Sequence, residues 1–86
     1  MNTAFTEDAL AEYIAWQTED KKTLRRINEL IKSIKRDGFL EGMGKPEALK
    51  GQKAYSRRID DGNRLVYISD ENNNLLILSC KGHYKN

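Results

Sequence analysis

One histidine, one cysteine, one proline and one tryptophan are all that the sequence holds of four residue types, and each scarcity removes a class of function. A lone cysteine forms no internal disulfide, and Cys80 follows an apolar run in a strand-like segment, which makes it a buried, inert thiol. His83 and Cys80 together are too few for a zinc site, which usually takes three or four ligands, so neither a metal nor any other cofactor is expected. Serine or cysteine nucleophile chemistry has no recognisable setting. The longest uninterrupted apolar run, LLIL at Leu75 to Leu78, falls far short of the roughly 20 residues of a membrane span. The opening MNTAFTEDAL lacks the basic and apolar segments of a signal peptide. A cytoplasmic protein without membrane contact is therefore expected. With 86 residues, the chain makes one domain, 1–86, with one modest core and no large internal pocket.

What is present is charge, unevenly spread. Residues 1–20 carry five acids and no lysine or arginine, residues 21–58 carry twelve bases and four acids, and residues 59–86 carry three bases and four acids. A basic middle on a chain of net charge +2 suits a polyanion met on one face. The bland alternative is that these lysines and arginines only solvate a helix. In FTEDALAEYIAWQ, Thr6 is the expected N-cap, Glu7 and Asp8 sit well against the helix dipole, and Leu10, Tyr13 and Ile14 share a face with Ala9 and Trp16 beside it. From about Asp20 to Lys35, Leu24, Ile27, Leu30, Ile31 and Ile34 recur at helical spacing, with Gly38 as C-cap. The segment FLEGMGKPEALKGQK holds three of the six glycines and the proline, hence a loop, with or without a short strand. AYSRRI and RLVYIS alternate around the turn DDGN, DENNN turns the chain again, and LLILSC, continuously apolar, is expected to be the most buried strand. The expected fold class is α+β: two N-terminal helices packed on a small antiparallel sheet of three or four strands.

Polar residues gather at the strand ends and in the preceding loop: Lys45, Glu47, Lys50, Arg57, Arg58, Arg64, His83 and Tyr84. Strands about 4.8 Å apart allow Arg58 and Arg64, on either side of the hairpin, to reach one phosphate. Metal-free RNA cleavage needs a base for the 2′-hydroxyl, an acid for the leaving 5′-oxygen and cations for the charge building on phosphorus, and a histidine, a carboxylate and arginines supply those parts. Only one of Arg57 and Arg58 faces such a site, because strand neighbours point to opposite sides. Arg58 is chosen, since Ala54 and Ser56 share its face while Tyr55 and Ile59 share that of Arg57. Arg57 is left to touch RNA from an edge or to brace the sheet.

The run INELIKSIKRD, the loop GKPEALK, the strand pair YSRRID with NRLVY, and the closing KGHY closely resemble the Txe/YoeB family of bacterial toxins, relatives of the RelE-type messenger-RNA interferases. The likeness spans nearly the whole chain, in order and near family spacing. It implies a RelE-like microbial ribonuclease fold and the toxin of a type II toxin–antitoxin system that cleaves messenger RNA in the ribosomal A site. Carried over, Glu47 matches the general base, His83 the general acid, Arg64 and Arg58 the residues that stabilise the transition-state phosphate, Lys50 a supporting cation, and Tyr84 an aromatic that orients or stacks on the nucleotide. Lys21, Lys22, Arg25, Arg26, Lys45 and Arg57 are expected to contact RNA or ribosome. The partners implied are the ribosome with its messenger RNA and a cognate YefM/Axe-like antitoxin with an acidic C-terminal segment, and a homodimer is left open. The competing class is a binding module that uses the same basic surface without catalysis.

Overall fold

Two capping residues set the helical half of the chain. In the computed structural model, which describes residues 1–51 and 53–83, the Thr6 hydroxyl accepts from Ala9 N at 3.1 Å and starts α1 (Glu7–Glu19). Asp20 then both ends α1 and begins α2 (Lys21–Asp37): its N–H donates to Trp16 O at 3.1 Å while its carboxylate accepts from Lys22 N, Thr23 N and Thr23 Oγ1. One residue thus satisfies orphan groups of two helices and makes a tight hairpin. Gly38 ends α2 at φ 107°.

The strands are β1 (Thr3–Phe5), β2 (Glu47–Ala48), β3 (Tyr55–Asp60), β4 (Asn63–Ser69) and β5 (Leu75–Ser79), in the spatial order β1-β5-β4-β3-β2. The meander β3–β4–β5 is antiparallel, as the turn signals predict. The sheet is nevertheless mixed and five-stranded, not purely antiparallel with three or four strands, because β1 pairs parallel to β5, Thr3 opposite Leu75 and Phe5 opposite Ile77. Three residues ahead of a helix cap leave too short a pattern to read as a strand. β4, central in the order, is the most buried, with Leu65, Val66 and Tyr67 buried in succession. The apolar run of β5 instead alternates, Leu75 and Ile77 fully buried and Leu76 and Leu78 partly so.

Both helices cover one face of the sheet. Ile27, Leu30 and Ile34 of α2 meet Ile59, Leu65, Tyr67, Leu75 and Ile77. From α1 the buried residues are Ala9 and Trp16, whereas Leu10 and Ile14 are 42% and 54% exposed. The expected Leu10–Tyr13–Ile14 face is therefore rotated: positions 9, 13 and 16 also lie at helical spacing, and Trp16 fixes the choice by donating its indole N–H to Cys80 O at 2.9 Å. A smaller cluster of Leu49, Ala54 and Val66 lies apart from this core.

Candidate active site

β3 sends neighbouring side chains to opposite faces, with an irregularity in its pairing to β4 between Arg58 and Asp60. Arg57 points to the helices and is 0% exposed, and Arg58 points away. The Arg57 guanidinium donates to Tyr67 Oη, Ser33 Oγ, and the carbonyls of Gly38, Glu41 and Met43 at 2.5 to 3.0 Å. An arginine enclosed this way has no surface to offer RNA, which corrects its expected place among the RNA contacts. It organises the loop that follows α2. Tyr67 supports it by donating its hydroxyl to Phe39 O at 2.7 Å, and burial raises the pKa of that hydroxyl despite the neighbouring guanidinium. Gly44 completes the arrangement: its φ is +87°, and a Cβ there would meet Leu30 Cδ2 at 2.6 Å.

The organised loop delivers Lys45, Pro46 and Glu47. Lys45 is exposed and held at φ 49°, a conformation unusual for a non-glycine residue, of the kind that concentrates at functional sites. Glu47 pairs with Ser56 across β2 and β3, while Arg58 pairs with Arg64 across β3 and β4. All of these occupy the sheet face away from the helices. Arg64 runs diagonally over Ser56, donating Nε to the buried Ser56 Oγ at 3.1 Å and Nη2 to Glu47 Oε1 at 3.0 Å. Arg58, half-exposed, pairs with Asp61 in the hairpin turn. Its backbone is held from both sides, N–H to Gly44 O at 2.7 Å and carbonyl to Arg26 Nη2 at 3.3 Å. A carboxylate and two guanidiniums therefore share one surface.

The C-terminal segment arrives beside it. Arg64 N donates to Gly82 O at 3.0 Å and Gly82 N donates to Asn63 Oδ1 at 2.8 Å, with Gly82 at φ +84°. His83 follows directly and is exposed. On the other side, α1 holds the segment through Glu12 Oε1, which accepts from Cys80 N at 2.8 Å, and through the Trp16 indole. Lys81 pairs with Glu19 at 2.7 Å and lies 5.1 Å above the Trp16 ring. Burial, reinforced by the Glu12 carboxylate, pushes the Cys80 thiol up to about 12. That keeps it protonated and unreactive.

Of the expected site residues, Glu47, Arg58 and Arg64 come together, and His83 is tied to them through Gly82. Lys50 is exposed in the turn after β2. Tyr84 lies outside the described residues. Lys21, Lys22 and Arg25 are exposed at the start of α2, and Arg26, through its contact with Arg58, brings that end of the helix against the site. Sequence reasoning passed over Ser56, Asp61, Asn63 and Glu12. Only Glu12 carries a signal, since it, Trp16 and Glu19 fall at i, i+4 and i+7 on one helix face. Among the described residues, no helix is long and apolar enough to cross a membrane, and no group of three or more His, Cys, Asp and Glu is placed to hold a metal ion.

Comparison with known proteins places the chain in a family. The sequence model of a family described as "YoeB-like toxin of bacterial type II toxin-antitoxin system" matches residues 5–84. Toxin YoeB of Synechocystis sp. is 51% identical over 88 aligned positions, covering 99% of each chain. The YoeB dimer of Staphylococcus aureus superposes with a TM-score of 0.90 at 50% identity, covering 98% of each chain. A heterotetrameric YoeB–YefM toxin–antitoxin complex from the same organism gives 0.89 at 50%, again covering 98% of each chain. With its helix pair, its mixed sheet and nearly its full length shared, the chain belongs to the YoeB-like toxin family of bacterial type II toxin–antitoxin systems.

Proposed function

We propose that the protein is a ribosome-dependent endoribonuclease that cleaves messenger RNA in the ribosomal A site. Glu47 takes the proton of a ribose 2′-hydroxyl, the 2′-oxygen forms its bond to phosphorus, and the bond to the 5′-oxygen breaks as His83 protonates that oxygen. Arg64 and Arg58 bind the charge that builds on the phosphoryl oxygens, Lys50 adds a supporting cation, and Tyr84 stacks on or orients the nucleotide. The products are a 2′,3′-cyclic phosphate and a 5′-hydroxyl, with no metal taking part in any step. The observation that carries this reading is the convergence of Glu47, Arg58 and Arg64 on one open sheet face, with Gly82 bonded to the backbone of Arg64 immediately before His83. A substrate phosphate would compete with Glu47 for Arg64, which would free the carboxylate to act as a base.

The exposed cations Lys21, Lys22, Arg25 and Lys45 extend the positive surface toward ribosomal RNA. An antitoxin of YefM type, acidic in its C-terminal segment, would meet the same surface and silence the toxin, and the protein would form a homodimer as its Staphylococcus aureus relative does. Its place of action would be the cytoplasm. Sequencing of RNA ends after brief expression tests the reading: cuts at A-site codons that leave cyclic phosphates are expected. Ribosome association without such ends would leave a non-catalytic binding module instead.

A further inference from the structure

A segment outside helix and strand is ordered only as far as its backbone is tied down, and a general acid acts efficiently only when its starting position is fixed. Here four hydrogen bonds fall on two residues just ahead of His83. Cys80 uses its N–H on Glu12 and its carbonyl on the Trp16 indole, and Gly82 uses its N–H on Asn63 and its carbonyl on the Arg64 backbone, all at 2.8 to 3.0 Å. Asn63 is itself oriented, because its Nδ2 donates to both carboxylate oxygens of Asp60 at 3.0 and 3.2 Å, which turns Oδ1 toward Gly82. We propose that Asn63, Glu12 and Trp16 are positioning residues of the cleavage reaction: they latch Cys80 and Gly82 between the first helix and the β3–β4 hairpin so that His83 starts from a fixed point beside Arg64. This rests on the nuclease function proposed above and assigns to α1, which carries none of the reacting groups, a part in the chemical step.

The chemistry of the latch fits that role. Gly82 lies at φ +84° with open space where a Cβ would stand, so the site requires glycine for its backbone turn and not for lack of room. The turn directs both polar groups of Gly82 at the hairpin. The Glu12 carboxylate is a stronger acceptor for a backbone N–H than a neutral oxygen. The indole bond is buried, where the low local dielectric strengthens it.

The test is single-turnover cleavage by the full chain on saturating programmed ribosomes, well below the melting temperature of each variant. Asn63→Ala, Glu12→Ala and Trp16→Phe are expected to lower the rate constant about tenfold or more, the scale of loss that follows a misplaced catalytic group. The ribosome concentration giving half the maximal rate should not change. Glu12→Gln keeps an oxygen for Cys80 N–H and should restore most of the rate, which a purely electrostatic effect of Glu12→Ala would not allow. In a His83→Ala background, Asn63→Ala should cost nothing further, because nothing is left for the latch to place. Wild-type cleavage that all three variants match would overturn the latch and leave the nuclease reading intact, as would an equal loss from Asn63→Ala with His83 absent. A wild-type chain that leaves no cyclic-phosphate ends would overturn the nuclease reading and the latch with it.

Discussion

Arg57 and Arg58 are adjacent and have opposite fates. Strand alternation with Tyr55 and Ile59 was enough to send Arg57 toward the helices and Arg58 to the open face. Full enclosure of Arg57 was not legible, because its partners are chiefly loop carbonyls, which every sequence has and none advertises. The open-face group supports a direct expectation: Glu47→Gln, Arg64→Ala and His83→Ala should fold and bind ribosomes yet lose about 10² to 10⁴ in single-turnover rate. His83→Ala retaining more than about a tenth of the wild-type rate would remove that residue from the role of general acid. Asp61 is a competitor of a kind no motif marks. It is 94% exposed and pairs with Arg58, itself 45% exposed, so the pair is weak and screened. Asp61→Asn should release Arg58 for phosphate and raise kcat/KM on ribosomes, by no more than about fivefold given the worth of such pairs. A fall in kcat/KM would mean that Asp61 aligns Arg58 instead of competing for it.

Among the elements, α2 was readable because five aliphatic residues at helical spacing outvote any other face, whereas α1 offered two faces sharing Tyr13, and Leu10 with Ile14 is the more apolar to the eye. The decision came from polar bonds, Trp16 and Glu12 to Cys80, which no periodicity shows. The loop after α2 was read as irregular for its glycines and is in fact ordered on the Arg57 guanidinium. Lysine cannot reproduce that fork, having one nitrogen where arginine has three. Arg57→Lys should therefore leave the part-buried carbonyls of Gly38, Glu41 and Met43 without their donor, at no more than about 1–3 kcal/mol each, and Tyr67→Phe should lose a similar amount for the Phe39 carbonyl. Urea midpoints at constant m-value measure both, and an unchanged midpoint for Arg57→Lys would show that the loop holds without the fork. Asp20 gives a pH signature. Hydrogen bonds from Thr23, then Lys22, hold its carboxyl below the usual carboxylate range. As pH falls the unfolded state takes up the proton first, so the stabilisation is present above the unfolded pKa and is lost below about pH 4. Asp20→Ala should lower stability at neutral pH and flatten the acid limb of the midpoint against pH. An unaltered acid limb would assign the dependence to other carboxylates, Asp37 foremost, which Arg36 and Ser33 hold low in the same way.

For the molecule as a whole, the division of charge along the chain becomes a division in space. The acidic first helix holds the C-terminal segment, and the basic start of α2 abuts the open sheet face through Arg26 and Arg58. Lys21 and Lys22 occupy the first turn of α2, where the helix dipole disfavours cations and where no acid is present. Lys22 is offset there only by its attraction to the N-cap Asp20, and under the function proposed above both lysines serve a ribosomal RNA partner. That separates two kinds of cation. Lys21, Lys22 and Arg25 are exposed, whereas Arg26 is half-buried and bonded to the strand that carries Arg58. Replacing the first three with glutamate should weaken ribosome association and reduce the slope of log affinity against log salt by about two to three, roughly one for each phosphate that is no longer neutralised. The single-turnover rate on saturating ribosomes should remain near wild type, and the melting temperature should change little, since the gain at the dipole is offset by removing the attraction of Lys22 for Asp20. Arg26→Glu should differ by lowering the saturated rate as well, because it disturbs the carbonyl of Arg58. If the triple variant lost its saturated rate while keeping its salt slope, the start of α2 would belong to the reaction and not to the ribosome-facing surface.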